Sequence, residues 1–259
     1  MIRSFTSEWI RFQKTARTGI LAMVGLVVMI GLMLFIGADS MGPGGGGHGG
    51  PLGGAADLTA ADGAMAALST AINLIGIVSI ALFALSVARD FEWGTIRNLL
   101  VSQPRRATLL SGKLLAVSSY VIIGVVVAGV VAGLLAVVLA PGQDISTESW
   151  TVAASLGTLG TTAIAALLFG LVGAVLAMLT RSAAISITAG IAYLLVIENL
   201  LGLFWDSAGE WLPAGIFSAL AGGGTDVVSL EKAIVLSVSY AILGLIVMYA
   251  VFMRRDVTD

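Results

Sequence analysis

Charge is what this sequence has least of. Only 11% of its 259 residues are Asp, Glu, Lys or Arg, against 58% hydrophobic, and the mean hydropathy is +1.03. A soluble domain carries roughly 25% charge, so a water-soluble globule is excluded. Cysteine is absent, which removes disulfides and thiolate metal or redox centres. The single histidine, His48, lies in a glycine run about nine residues from Asp39 and Asp57. A metal centre needs several clustered ligands and finds no support there.

What the chain has instead is apolar runs of about 20 residues, the length that crosses ~30 Å of hydrocarbon. Six qualify: residues 18–38, 67–88, 114–140, 152–179, 183–205 and 234–252. In lipid each satisfies its own backbone only as a helix. The expected fold is therefore an all-α integral membrane protein, a single domain over 1–259. The first run is longer than a signal-peptide core and lacks a small-x-small cleavage site after it, so it reads as a retained anchor.

The near-neutral total of −2 conceals a sharp asymmetry. Arg3, Arg11, Lys14 and Arg17 precede the first run; Arg89, Arg97, Arg105, Arg106 and Lys113 lie between the second and third; Arg181 lies between the fourth and fifth; Arg254 and Arg255 follow the sixth. Twelve of 13 cations thus fall on one side, leaving Lys232 alone on the other. By the positive-inside rule both termini are expected in the cytoplasm of a bacterial inner-membrane protein. All five Trp fall at or beyond the ends of the runs, where amphipathic rings settle.

Before the first span, Phe5, Trp9, Phe12 and Ala16 form a stripe with cations on other faces. Residues 1–17 therefore read as an amphipathic elbow helix lying in the membrane interface, with an unstructured basic leader as the plainer alternative. The outer loop 39–66 carries a long glycine run and reads as a flexible linker. The cytoplasmic loop 89–113 holds five cations and two acids. Thr95 can cap a short helix from Ile96 toward Ser102, which Pro104 stops. Ile96, Leu99 and Leu100 have the spacing of a face that docks on something. Periodicity alone leaves open whether the loop grips a partner or its cations merely fix topology.

Glu92, Gly94, Thr95, Arg97, Pro104, Arg106 and Lys113 stand in the order found in the loop between the second and third spans of permease subunits of bacterial ATP-binding-cassette transporters of the type 2 export family. The chain resembles that family in layout as well: an elbow, six spans, and a longer outer segment, residues 206–233, before the sixth. In the family that segment holds short re-entrant helices, and residues 211–221 fit by being apolar, too short to span and having Pro213 near their start. The resemblance implies that residues 92–102 form a coupling helix seated on a separate ATPase. Ile96, Leu99 and Leu100 would form its docking face, and two permease copies, identical or different, would share the path. It implies further that ATP and Mg are bound by two partner ATPase subunits, with no cofactor in this chain. The long glycine run departs from the family and leaves any carry-over there in doubt.

The chain itself has no phosphate-binding loop. Residues 107–114 come nearest to G-x-x-x-x-G-K-[ST], yet lack the first Gly and the final hydroxyl. Inside the membrane the one deep acid is Glu198, about 22 Å from the cytoplasmic end of its span, next to Asn199. An intramembrane carboxylate is costly and should face a cavity, a partner helix or the dimer seam, so Glu198 reads equally as part of a translocation path or gate and as a structural group. Asn73 and Tyr193 are weaker candidates, since such groups more often bond between helices. Glycines studding the third and fourth spans permit close approach but assign no dimer face.

The expectation is a non-enzymatic permease of an ATP-driven exporter carrying hydrophobic or amphipathic cargo such as a drug, antimicrobial peptide or lipid. Its partners would be ATPases, a second permease and membrane lipids, not nucleic acid. An ATPase-independent carrier or channel is the alternative. An intramembrane enzyme would need clustered acids or histidines at depth, where only Glu198 qualifies.

Overall fold

Runs of Ile, Val, Leu and Ala without internal proline leave the backbone one way to satisfy itself in an apolar medium. A computed structural model describes residues 2–36, 58–93, 106–143, 145–205, 207–225 and 227–254, without the side chains of 2–8, 11, 33–36, 106, 143 and 254. Every regular element among them is helical. Among the described residues six helices are long and apolar enough to cross a membrane, as in a multi-pass membrane protein: Phe12–Leu32, Ile72–Glu92, Ala107–Gly142, Val152–Thr180, Ala183–Phe204 and Leu230–Met253. Number and order match the expectation; the first and third begin earlier than residues 18 and 114.

The first span belongs to one unbroken helix, α1 (Ile2–Ile36), about 52 Å long. No separate elbow helix precedes it. The physical reason is that no Gly or Pro interrupts residues 2–18. The stripe assigned to the membrane interface also has a partner within the chain, in α4 (Arg106–Leu139). Trp9 stacks on Tyr120 with ring centroids 3.9 Å apart, and the Tyr120 hydroxyl donates to the Trp9 carbonyl at 2.8 Å. Phe12 and Ala16 are buried.

A short helix, α2 (Ala66–Thr70), leads into α3 (Ile72–Glu92). α3 packs against α5 (Val152–Thr180) at the centre of the bundle. The contact interlocks aromatics with glycines: Phe169 sits over Gly76 and Phe83 over Gly170, each within 3 Å of where a Cβ would stand. At Gly173 the obstacle is backbone, the Ile80 carbonyl oxygen 2.4 Å from a built Cβ. The glycines of the fourth span thus serve in part an internal seam. Gly173→Ala is expected to wedge α3 from α5 and cost about 1–3 kcal/mol, read as a lower melting temperature in detergent. An unchanged melting temperature would show that the helices slide apart freely.

The fifth span is segmented: α6 (Ala183–Ala192), a π-helical turn at Tyr193–Ile197, and α7 (Glu198–Phe204). Two short helices follow, α8 (Ala208–Trp211) and α9 (Pro213–Ala221), then α10 (Leu230–Arg254). Only 11% of the fifth and of the sixth span is buried, as in helices facing lipid or a partner, against 61% of the second and 56% of the fourth.

Candidate functional site

Glu198 acquires a role from helix-end chemistry. A helix start leaves backbone N–H groups without partners, and the residue before α9, Leu212, has no side chain able to cap them. Pro213 at the first position removes one such donor. Glu198 takes the next two: the Gly215 N–H donates to Oε1 at 2.7 Å and the Ala214 N–H to Oε2 at 3.1 Å. The carboxylate also lies at the positive end of the α9 dipole.

The π turn explains how Glu198 is presented. Its wider winding brings residues five apart toward one another, and the Tyr193 hydroxyl hydrogen-bonds to Glu198. Such a turn also loosens carbonyls from the helical ladder. Asn199 answers that need, its Nδ2 donating to the carbonyls of Leu194 at 3.3 Å and Leu195 at 3.2 Å.

Other contacts fix α9 on every side. Ser218 donates to Asn73 Oδ1 of α3 at 2.8 Å. Phe217 meets Phe169 and Tyr240 edge-on, at 5.0 and 6.2 Å. Thr161 of α5 donates to the Ala221 carbonyl at 3.2 Å, closing the far end. Just before α9, the Tyr240 hydroxyl donates to the Trp211 carbonyl, and Lys232 pairs with Glu210 at 2.6 Å while lying 4.9 Å from the Trp211 ring. Of the four candidates read from the sequence, Glu198, Tyr193 and Asn73 converge on α9, and Asn199 turns back on its own helix. Ser218, Tyr240 and the two capped amides were missed; only Pro213 signalled a helix start here.

At the opposite face two anchors flank the cation-rich loop. Asp90 of α3 and Lys113 of α4 form an ion pair, each no more than 5% exposed at the side chain, and Lys113 Nζ also donates to the Ser86 carbonyl at 2.7 Å. Glu92 Oε1 accepts from the Ala183 N–H at 2.7 Å. It caps α6, whose own N-cap residue, Ser182, makes no side-chain cap bond. Arg89 reaches Thr15 of α1 at 2.9 Å and lies 5.8 Å from the Trp93 ring. Lys113 and Glu92 are therefore committed to the bundle itself. Gly94, Thr95, Ile96, Arg97, Leu99, Leu100 and Pro104 lie outside the described residues, as do the Arg106 side chain and His48. Among the described residues no three His, Cys, Asp or Glu side chains gather as metal ligands would.

Residues 47–258 match a protein family of unknown function, DUF2705. The chain belongs to the DUF2705 family. A comparison with curated proteins finds no match. Both constellations of this DUF2705 chain lie inside the matched segment, whereas all of α1 lies before it.

Proposed function

We propose that this chain is the membrane permease subunit of an ATP-driven exporter. Two copies, or this chain and a similar one, form the path in a bacterial inner membrane with both termini cytoplasmic. Two separate ATP-binding-cassette subunits bind ATP and Mg and drive it through the segment 89–113, with a coupling helix at 92–102. The observation that carries this reading is the double anchoring of that segment. Asp90–Lys113 joins the helices at its two ends, and Glu92 ties one of those ends to the fifth span. A segment fixed in this way passes a push from a partner to three spans as a rigid-body movement.

On this reading α9 and its Glu198 clamp form the outer gate, with Asn73 and Tyr193 holding it in place and Asn199 bracing the turn that presents Glu198. The apolar interior suits hydrophobic or amphipathic cargo. The alternative, an ATPase-independent proton-coupled carrier, draws on the same intramembrane carboxylate. It is the weaker reading because both oxygens of Glu198 already hold backbone amides.

The test is co-purification with an ATPase encoded beside the chain. The triple substitution Arg97→Ala, Leu99→Ala and Leu100→Ala is expected to lower recovered ATPase at least about tenfold, as loss of a docking hot spot does. These residues are preferred to Glu92, whose cap on α6 gives a second reason for any loss. A complex that forms normally, with a normal coupled ATPase rate, would overturn the proposal.

A further inference from the structure

Between α5 and α10, beneath α9, lies a cavity of about 220 Å³. Its walls include Leu168, Leu171 and Val175 from α5 and Leu243, Gly244 and Val247 from α10. Phe217, Pro213 and Tyr240 form its roof. The Tyr240 hydroxyl is engaged by the Trp211 carbonyl. Every other lining side chain is apolar, so a polar ligand would lose its hydrogen bonds to water and gain almost nothing in return. Apolar cavities on the order of 150 Å³ stay dry and take up small hydrocarbons. Empty, this one forfeits dispersion contacts along its whole lining.

Depth and charge identify the occupant. Six crossings bring the chain's two ends to one side, where α5 closes at Thr180 and α10 at Arg254. At 1.5 Å per residue the lining runs from about 6 Å above that level, at Leu176, to about 21 Å, at Tyr240. Half of a ~30 Å hydrocarbon core is about 15 Å, so with the helix ends at the hydrocarbon edge the cavity occupies the deeper part of the leaflet on the side of the termini and reaches about 6 Å past the midplane. Leu243, 58% exposed, lines it, so it opens sideways toward the surroundings of α10. Exposed Arg181, the C-cap residue just beyond α5, puts a cation past the end of the apolar lining on the side of the termini. A helix of a second copy, 10–12 Å across, is too wide to enter.

We infer that this cavity is a binding site for one acyl chain of a phospholipid in the leaflet on the side of the chain's termini, with its phosphate at the level of Arg181. The site stands apart from ATPase coupling. It needs only that the six helices cross a bilayer, so it survives if the exporter reading fails. Gly244 makes the room, since a Cβ there would stand 3.1 Å from Leu171. The chain end reaches Phe217 and Pro213, which places lipid directly under the outer helix that Glu198 clamps.

The test is photolabelling of the full chain in phosphatidylcholine nanodiscs containing phosphatidylglycerol with a mid-chain diazirine, followed by mass spectrometry of peptides. Adducts are expected to concentrate on 168–176 and 240–247. Val247→Phe, which fills the cavity, should lower them about tenfold, the effect of losing roughly two buried methylenes of contact. Ile246→Phe, on the neighbouring exposed face, should leave them unchanged. Should Val247→Phe fail to fold, Val172→Phe fills the same space from the opposite wall. Labelling of exposed Val130, Leu134 and Val137 on α4 as strong as at the cavity would overturn the inference. So would wild-type labelling in both filled variants, or links between two copies at Leu243 in place of lipid adducts.

Discussion

Lys113→Met and Asp90→Leu, made singly, are each expected to destabilise the bundle by about 3–5 kcal/mol, and made together to recover most of that loss. The pair is almost wholly buried. The pairing offsets much of each ion's desolvation cost, and the Ser86 carbonyl is a further acceptor for the ammonium. Deleting one partner takes the opposite charge away from the other in a medium that solvates it poorly, whereas deleting both removes the two charges together. Unfolding of the four proteins in mixed micelles, arranged as a double-mutant cycle, gives the coupling directly. A coupling under about 1 kcal/mol would place the pair among exposed ion pairs and contradict its burial. If the pair anchors the loop as proposed, the double variant regains stability without regaining normal ATPase coupling.

That pair also marks where the sequence stops being legible. The six spans could be read because each is a local run whose hydropathy does not depend on its neighbours. Lys113 was read by position, as a loop cation, because nothing local points to Asp90 23 residues earlier. Glu92 reads as a loop acid for the same reason; the Ala183 amide that it caps is 91 residues away. The aromatic stripe of α1 shows the ambiguity from the other side. An apolar helical face looks the same whether it will meet lipid or Tyr120, 111 residues on. Glycine spacing likewise cannot say whether close approach happens within one copy or between two. Glu198 was visible because a lone acid in an apolar run is costly anywhere. What relieves that cost was not visible, for it required knowing that α9 folds back against α7.

The relief is specific enough to rank substitutions at Glu198. Glu198→Ala leaves the amides of Ala214 and Gly215 without acceptors, where burial of each orphan costs about 1–3 kcal/mol. Glu198→Gln keeps one acceptor oxygen but turns an amide nitrogen, itself a donor, toward the second N–H, and gives up the charge's interaction with the α9 dipole, worth about 0.3–2 kcal/mol. Tyr193→Phe removes one hydrogen bond, about 1 kcal/mol. Hydrogen exchange of the peptide covering residues 212–222 should therefore accelerate in the order Tyr193→Phe, Glu198→Gln, Glu198→Ala. For the last the increase is about 100-fold, the equivalent of losing about 2.7 kcal/mol of local protection. Wild-type exchange in Glu198→Ala would mean that the carboxylate does not hold α9 at all. Exchange alone establishes the clamp; the gate needs flux as well. If α9 closes the outer end of a path, leak through vesicles containing the variants rises in the same order as exchange. A leak that stays flat while exchange climbs assigns Glu198 to stability alone, because a released gate cannot remain shut.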